Sequence, residues 1–421
     1  MNRRHFITTT ALAGLTLPSL AEWLEQKELL ENAKNRTAEP EKDESYWAMV
    51  RNMFEPDPSF INLENGYFSP QPVSTRNFFG QRTAYINRHT SRYMRTEQDE
   101  GREKVRTALA KMAGSGVDET AIVRNTTEAM NVIIMGYPWK AGDEAIYSDQ
   151  DYGSMVEQLQ QASARFGIVL KKIALPIHPK SDEEIVGAYM SAAGPRTKLL
   201  LLTHLINLSG QILPSKAIIE AAHQRKIEVL VDAAHSFAHV SSDFNDMGAD
   251  YLGCSLHKWL CNPLGAGMLC IKKEHIEKIW PLFGDTTWDK GNIRKFEHYG
   301  THPNAVFESI IRAISFHELM GADLKTLRLR YLQRTWTDAL RPNESFYFNT
   351  PVEPHRSCAL ANVGMHQWKP AEISQALMKQ HKIFTVAIDH PVIKGIRVTP
   401  HLYTSIEEIN TFTALLPTLK K

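Results

Sequence analysis

The sequence predicts an α/β fold, with a mostly parallel seven-stranded sheet covered by helices on both faces and a smaller α/β unit towards the C-terminus. Three observations carry this. Short apolar runs alternate with amphipathic stretches through the middle of the chain. The texture changes near Ala305, where a long helical stretch begins. Asp232 and Lys258 each follow an apolar run, where parallel sheets place their ligand-binding side chains.

The strand candidates are Thr120–Arg124, Glu144–Tyr147, Ile168–Leu175, Lys198–Thr203, Glu228–Val231, Tyr251–Cys254 and Gly267–Ile271. Their runs of Ile, Leu and Val, as in LLLL of 199–202, are those of strands buried on both faces. Between them, Glu128–Met135, Met155–Phe166, Glu183–Ala193 and Ser215–Gln224 have helical spacing. The spacing predicts a long helical stretch from Ala305 to about Leu340, then shorter strands and a last helix near Ile406–Leu415. Residues 46–304 are therefore expected to form a large unit with an N-terminal arm, and residues 305–421 a small one.

The chain of 421 residues is 43% hydrophobic and 23% charged, an ordinary globular balance, and its net charge is +1. Nothing in that balance favours nucleic acid or an acidic membrane as a partner. Residues 1–21, MNRRHFITTTALAGLTLPSLA, have the form of a twin-arginine export signal. Arg3-Arg4 precedes Phe6-Ile7, a weakly apolar stretch and a small-residue end. That route carries folded proteins, so the export machinery would deliver a cofactor-loaded chain to the periplasm. Residues 22–45, rich in Glu, Lys, Asn and Gln, read as a linker, and no membrane span is expected after the signal. The four cysteines, Cys254, Cys261, Cys270 and Cys358, form no CxxC pair and read as buried free thiols.

The chemistry concentrates in 230–258, LVDAAHSFAHVSSDFNDMGADYLGCSLHK. A carboxylate at one strand end and an amine at the next are what a pyridine aldehyde requires. The carboxylate keeps the ring nitrogen protonated, and the amine forms an imine. Asp232 and Lys258 are thus candidates for holding pyridoxal 5′-phosphate. An apolar setting lowers a lysine pKa and makes the amine a better nucleophile. Taken singly, Asp232 could equally be a turn aspartate and Lys258 a surface lysine.

The stretches VDAAHSFAH and DYLGCSLHKWLCNPLGAGML resemble the class V aminotransferase-type enzymes of pyridoxal phosphate fold type I. That group includes cysteine desulfurases, isopenicillin N epimerase and kynureninase. The resemblance runs from about Ile61 to Leu416 and is strongest over Thr203–Gly267. It implies a homodimer with shared sites. It also assigns Thr126 and Thr127, which open a helix in TTEAMN, to the phosphate, with Ser255 and His257 as further contacts. Thr301, in YGTHP, matches a turn that reaches the phosphate of the neighbouring subunit. Tyr152 falls where the family stacks a residue on the ring, often histidine, and Asn207 and His235 match the partners of the ring hydroxyl. Arg397, in IRVTPHLY, matches the arginine that binds a substrate carboxylate. Asn65, Gly66 and Tyr67 would face the substrate, and Arg88, His89 and Arg92 are candidate specificity residues.

The resemblance implies attack at the Cα of an amino acid or amino-acid-containing small molecule through a Lys258 imine. Epimerisation leads, with Tyr152 as a second acid, and C–S lysis or transamination is the alternative. Desulfurases carry a nucleophilic cysteine shortly before the carboxylate arginine, and HKIFTVAID of 381–389 has none. A binding protein that had abandoned catalysis would be expected to lose Lys258 or Asp232, and this chain keeps both.

Overall fold

The computed structural model describes residues 37–421 together with Leu24, Lys27, Glu28 and Glu31. The export signal expected in 1–21 and part of the linker expected in 22–45 lie outside the described residues.

In chain order the strands are β1 (Ile61–Asn62), β2 (Thr120–Val123), β3 (Glu144–Ser148), β4 (Val169–Ile173), β5 (Thr197–Thr203), β6 (Glu228–Asp232), β7 (Tyr251–Ser255) and β8 (Gly267–Ile271). These are followed by β9 (Phe346–Phe348), β10 (Ala361–Met365), β11 (Ile383–Phe384), β12 (Val386–Asp389) and β13 (Lys394–Val398). Strands β2 to β8 form one seven-stranded sheet in the order β2-β8-β7-β6-β5-β3-β4. β8 runs antiparallel to both neighbours, and the other pairings are parallel.

Successive residues of a strand point to opposite faces. In β5, Leu199 and Leu201 join one core with Ala145, Leu230 and Tyr251. Leu200 and Leu202 join the core on the other face with Ile146, Val229, Val231 and Leu252. This two-sided burial is why the run of leucines is strand and not helix.

The helix Thr126–Gly136 is held tightly against the sheet. Asn125 caps it, its side chain accepting from the Glu128 N–H at 2.9 Å. A Cβ on Gly253 of β7 would lie 2.9 Å from Ala129 Cβ and Met130 Sδ, and one on Gly267 of β8 would lie 2.7 Å from the Asn125 backbone. Glycine at these two positions lets the first turn of the helix sit directly on the strand ends.

The C-terminal unit is built on the four-stranded antiparallel sheet β12-β13-β10-β9. The predicted single helical stretch is two helices, Asn304–Met320 and Ala322–Leu340, broken at Gly321, where φ is 86°. The N-terminal segment joins this unit: β1 pairs in parallel with β11, and Leu63 packs among Leu332, Trp336, Ile396 and Phe412. The chain then crosses to the large sheet, where the Ser69 N–H donates to the His257 carbonyl at 3.1 Å. Among the described residues no helix is long and apolar enough to cross a membrane.

Candidate active site

A cavity of about 220 Å³ opens at the carboxyl ends of β5, β6 and β7. Its lining brings together Thr126, Thr127, Tyr152, Asn207, Asp232, His235, Ser255, His257 and Lys258, with Tyr67 from the N-terminal segment. Residues distributed over more than 190 positions of sequence thus meet at one place, on the edge of the sheet that the parallel-strand rule indicates.

Asp232, the last residue of β6, is 3% exposed and its Oδ1 accepts from the Ala234 N–H at 2.9 Å. Burial pushes its carboxyl up from the usual range, while the nearby Lys258 pulls it down. Lys258 lies three residues beyond β7, in a turn closed by Cys261 N–H to the Lys258 carbonyl (3.2 Å) and Asn262 N–H to the Leu256 carbonyl (3.0 Å). Cys261 adopts φ 60° in this turn, an uncommon conformation for a non-glycine residue. Burial lowers the Lys258 amine to about 8, against an upward pull from Asp232. Its Nζ is 3.2 Å from His235 Nε2. Burial and the neighbouring Lys258 hold His235 well below the ordinary imidazole range, so the ring is neutral.

The phosphate-type corner is assembled from three elements. The Thr126 N–H and hydroxyl both lie 2.8 Å from Ser255 Oγ, tying the helix start to the end of β7. His257 lies under the ring of Phe68, with centroids 5.8 Å apart and planes 23° apart. Phe68 is 62% exposed, and its contact with His257 has no local signature because the two meet only in the fold.

A further carboxyl, unforeseen from the sequence, stands behind Tyr152. Asp151 accepts from Thr203 Oγ1 at 2.6 Å and from the Ser148 N–H at 2.7 Å. Burial first, with the like charge of Asp232 adding, pushes Asp151 up to about 7. Its place beside Tyr152 in the loop after β3 was the available signal.

The remaining expected site residues fall elsewhere. Thr301 is exposed and outside the cavity lining of its own chain. Arg88, His89 and Arg92 lie on the helix Val73–Thr96, which kinks at His89. Asn65 is fully buried, its Nδ2 donating to the Thr399 carbonyl at 2.8 Å and its Oδ1 accepting from the Tyr403 hydroxyl at 2.6 Å. That side chain anchors the N-terminal segment to the C-terminal unit. Gly66 lies against Arg397: a Cβ there would be 3.1 Å from Nη2.

Arg397 itself is 0% exposed and already paired. Its Nη2 donates to Glu64 Oε1 at 2.8 Å and its Nε to Glu64 Oε2 at 3.2 Å. Its Nη1 donates to the Asn207 carbonyl at 3.1 Å, and the Tyr67 ring covers its face at 4.1 Å.

The cavity fits pyridoxal phosphate. Asn207 Oδ1, His235 Nδ1 and His257 Nδ1 are buried polar atoms that no group among the described residues satisfies, a costly state unless a ligand completes them. They surround one amine, one carboxylate and one helix N-terminus, the three features the cofactor's aldehyde, ring nitrogen and phosphate require.

The family comparison decides the assignment: the Aminotransferase class-V family model matches residues 70–412. The chain belongs to the class V aminotransferase family. With it, the chain is a pyridoxal-phosphate-dependent enzyme. It is 25% identical to isopenicillin N epimerase of Streptomyces clavuligerus over 89% of this chain and 98% of the relative. It is 27% identical to a probable cysteine desulfurase of Halalkalibacterium halodurans over 86% of this chain and 93% of that one. Among solved structures, a C-DES mutant with glycine covalently linked to its PLP cofactor superposes with TM-score 0.80 at 21% identity, covering 88% of this chain and 99% of that chain. The family fold and the cavity therefore coincide in this class V enzyme.

Proposed function

We propose that this class V enzyme labilises the Cα–H bond of an amino-acid-type amine and returns the proton to the opposite face, an epimerisation like that of its isopenicillin N epimerase relatives. The observation that carries the reading is the Lys258 amine, lowered to about 8 by burial and placed on the same cavity as Asp232 and Tyr152.

Bound pyridoxal phosphate supplies an electron-poor ring that draws charge from the substrate Cα. The rest is the work of the chain. Thr126, Thr127, Ser255 and His257 would hold the phosphate, with the N–H donors and dipole of the Thr126–Gly136 helix favouring its charge. Asp232, pushed up by burial, keeps its negative charge best beside a cation, which is what a protonated ring nitrogen provides. Asn207 and His235, each with an unsatisfied buried polar atom on the cavity, would orient the ring edge. Lys258 Nζ, neutral in a useful fraction near pH 8, takes the proton from Cα. Tyr152, 37% exposed at the cavity mouth, returns a proton on the other side.

A persulfide route is disfavoured by the cysteines. All four are free and buried, and burial holds the Cys261 and Cys358 thiols up at about 11. A persulfide nucleophile needs an accessible thiolate. C–S lysis and transamination need no such thiol and are the competing outcomes.

The test is chiral and keto-acid analysis of products with amino acids and short peptides in deuterated water. Solvent deuterium at Cα with loss of chirality supports epimerisation, and Tyr152→Phe should slow it. Release of pyruvate or net amino transfer to an added keto acid would move the assignment. We also propose export by the twin-arginine route to the periplasm, supported by Arg3-Arg4 in its sequence context. Replacing both arginines by lysine should leave the protein in the cytoplasmic fraction. A homodimer is proposed on the resemblance of the Thr301 turn, and solution mass measurement tests it.

A further inference from the structure

The most consequential group outside the catalytic set is Glu64. Arg397 has five N–H donors, and its bidentate edge is occupied by the Glu64 carboxylate at 2.8 and 3.2 Å. A third contact goes to the Asn207 carbonyl, and Tyr67 covers the face. Glu64 is fixed in turn: its Oε1 accepts from the Tyr67 N–H at 2.9 Å, and Thr399 Oγ1 stands 3.5 Å from Oε2. The pair is deeply buried, with side-chain exposures of 0% for Arg397 and 5% for Glu64.

We propose that Glu64 is the specificity-determining residue of this site, and that by neutralising Arg397 it selects substrates whose α-carboxyl is blocked as an amide, such as the N-terminal residue of a short peptide, over free amino acids. This rests on the reading of the cavity as a pyridoxal phosphate site acting at Cα.

With Glu64 in place the arginine corner sums to zero. A free amino acid brings a second carboxylate to it. Exchanging one carboxylate for another gains little, while the displaced Glu64 becomes a buried, unpaired anion and loses its Tyr67 N–H. An amide carbonyl brings no charge to this neutral corner and does not have to displace Glu64. It also makes the adjacent Cα–H more acidic than a carboxylate does, which suits a proton-abstracting Lys258. Phe68 and Tyr152 line the cavity and are 62% and 37% exposed, so the cavity reaches solvent and a chain beyond the first residue has a way out.

The experiment titrates L-alanine and L-alaninamide into the cofactor-loaded wild-type and Glu64→Gln proteins, reading the visible absorbance of bound pyridoxal phosphate. Wild type should bind alaninamide at least ~10-fold more tightly than alanine, and Glu64→Gln should reverse that order. Wild-type preference for alanine, or an unchanged order in Glu64→Gln, overturns the proposal. A second measurement does not depend on the cofactor: acetate should raise the melting temperature of Glu64→Ala, by occupying the vacated place on Arg397, and leave wild type unchanged. No rise in the variant overturns the proposal as well. Failure of the cofactor reading is seen separately, as wild-type protein with no visible absorbance and no borohydride-trapped Lys258.

Discussion

Lys258 Nζ and His235 Nε2 stand 3.2 Å apart, two nitrogen bases sharing one buried contact at the floor of the cavity. Because His235 is held neutral, the contact does not repel the amine, and it fixes where the amine points. The imine-forming species is the neutral amine, which gains population as pH rises through about 8. The rate of pyridoxal phosphate uptake by the cofactor-free protein should therefore climb between pH 7 and 9 with a midpoint near 8, measured by stopped-flow absorbance. Lys258→Ala should abolish the borohydride-stable adduct altogether. A midpoint near the ordinary lysine value of 10.5 would show that burial does not govern the amine.

Asp232→Asn keeps the side chain's shape and the Ala234 contact but removes the charge proposed to sit beside the ring nitrogen. Turnover should fall by roughly 10²–10⁴-fold, the scale of a lost proton-holding group. Substrate binding, read from the absorbance shift, should change far less. Equal losses in binding and turnover would mean that Asp232 serves only to shape the cavity.

The large sheet was legible because its strands announce themselves as two-sided apolar runs, and Asp232 and Lys258 because each stands just beyond one. Gly321 carries no local sign of a break, since helical spacing continues on both sides of it and only its φ of 86° separates the two helices. The Glu64–Arg397 pair could not be read at all: the partners are 333 positions apart and meet only because β1 docks on β11. The same docking explains Asn65, which the family resemblance associates with substrate and which the fold gives to Thr399 and Tyr403. Asp151 illustrates a third limit. Its residue type was visible, but its rise to about 7 comes from burial that no local pattern reports.

Gly267 sets the distance between β8 and the helix that presents Thr126. Since an added Cβ would fall 2.7 Å from backbone atoms of Asn125, Gly267→Ala must push the helix start away from the sheet. We expect a loss of about 1–3 kcal/mol in urea denaturation, the usual range for overpacking, together with weaker cofactor binding. Gly187→Ala is the contrast: nothing lies within 4 Å and the residue is inside the helix Asp182–Ser191. That change should stabilise by about 0.5–1 kcal/mol and leave cofactor affinity unchanged.

Lys325 lies beneath the Lys258 turn, 3% exposed, with its Nζ donating to the Trp259 carbonyl. Burial lowers its amine from 10.5 to about 8 in the folded chain. A folded pKa below the unfolded one means that Lys325 stabilises the fold fully above pH 10.5, and that this contribution is lost as pH falls to about 8. Within that window the unfolded chain holds a proton that the native chain does not. Wild-type stability should therefore rise with pH by up to about 1.4 kcal/mol per unit from this group. Lys258 has the same window, so the difference between Lys325→Met and wild type is the informative quantity. Methionine removes the titration and leaves the Trp259 carbonyl without its donor, a cost of about 1–3 kcal/mol that does not depend on pH. Urea denaturation of both proteins from pH 7 to 9.5 should show a constant difference up to about pH 8 and a drift in favour of wild type above it. A difference that stays level to pH 9.5 would place the Lys325 amine at its ordinary value and make its burial electrostatically silent.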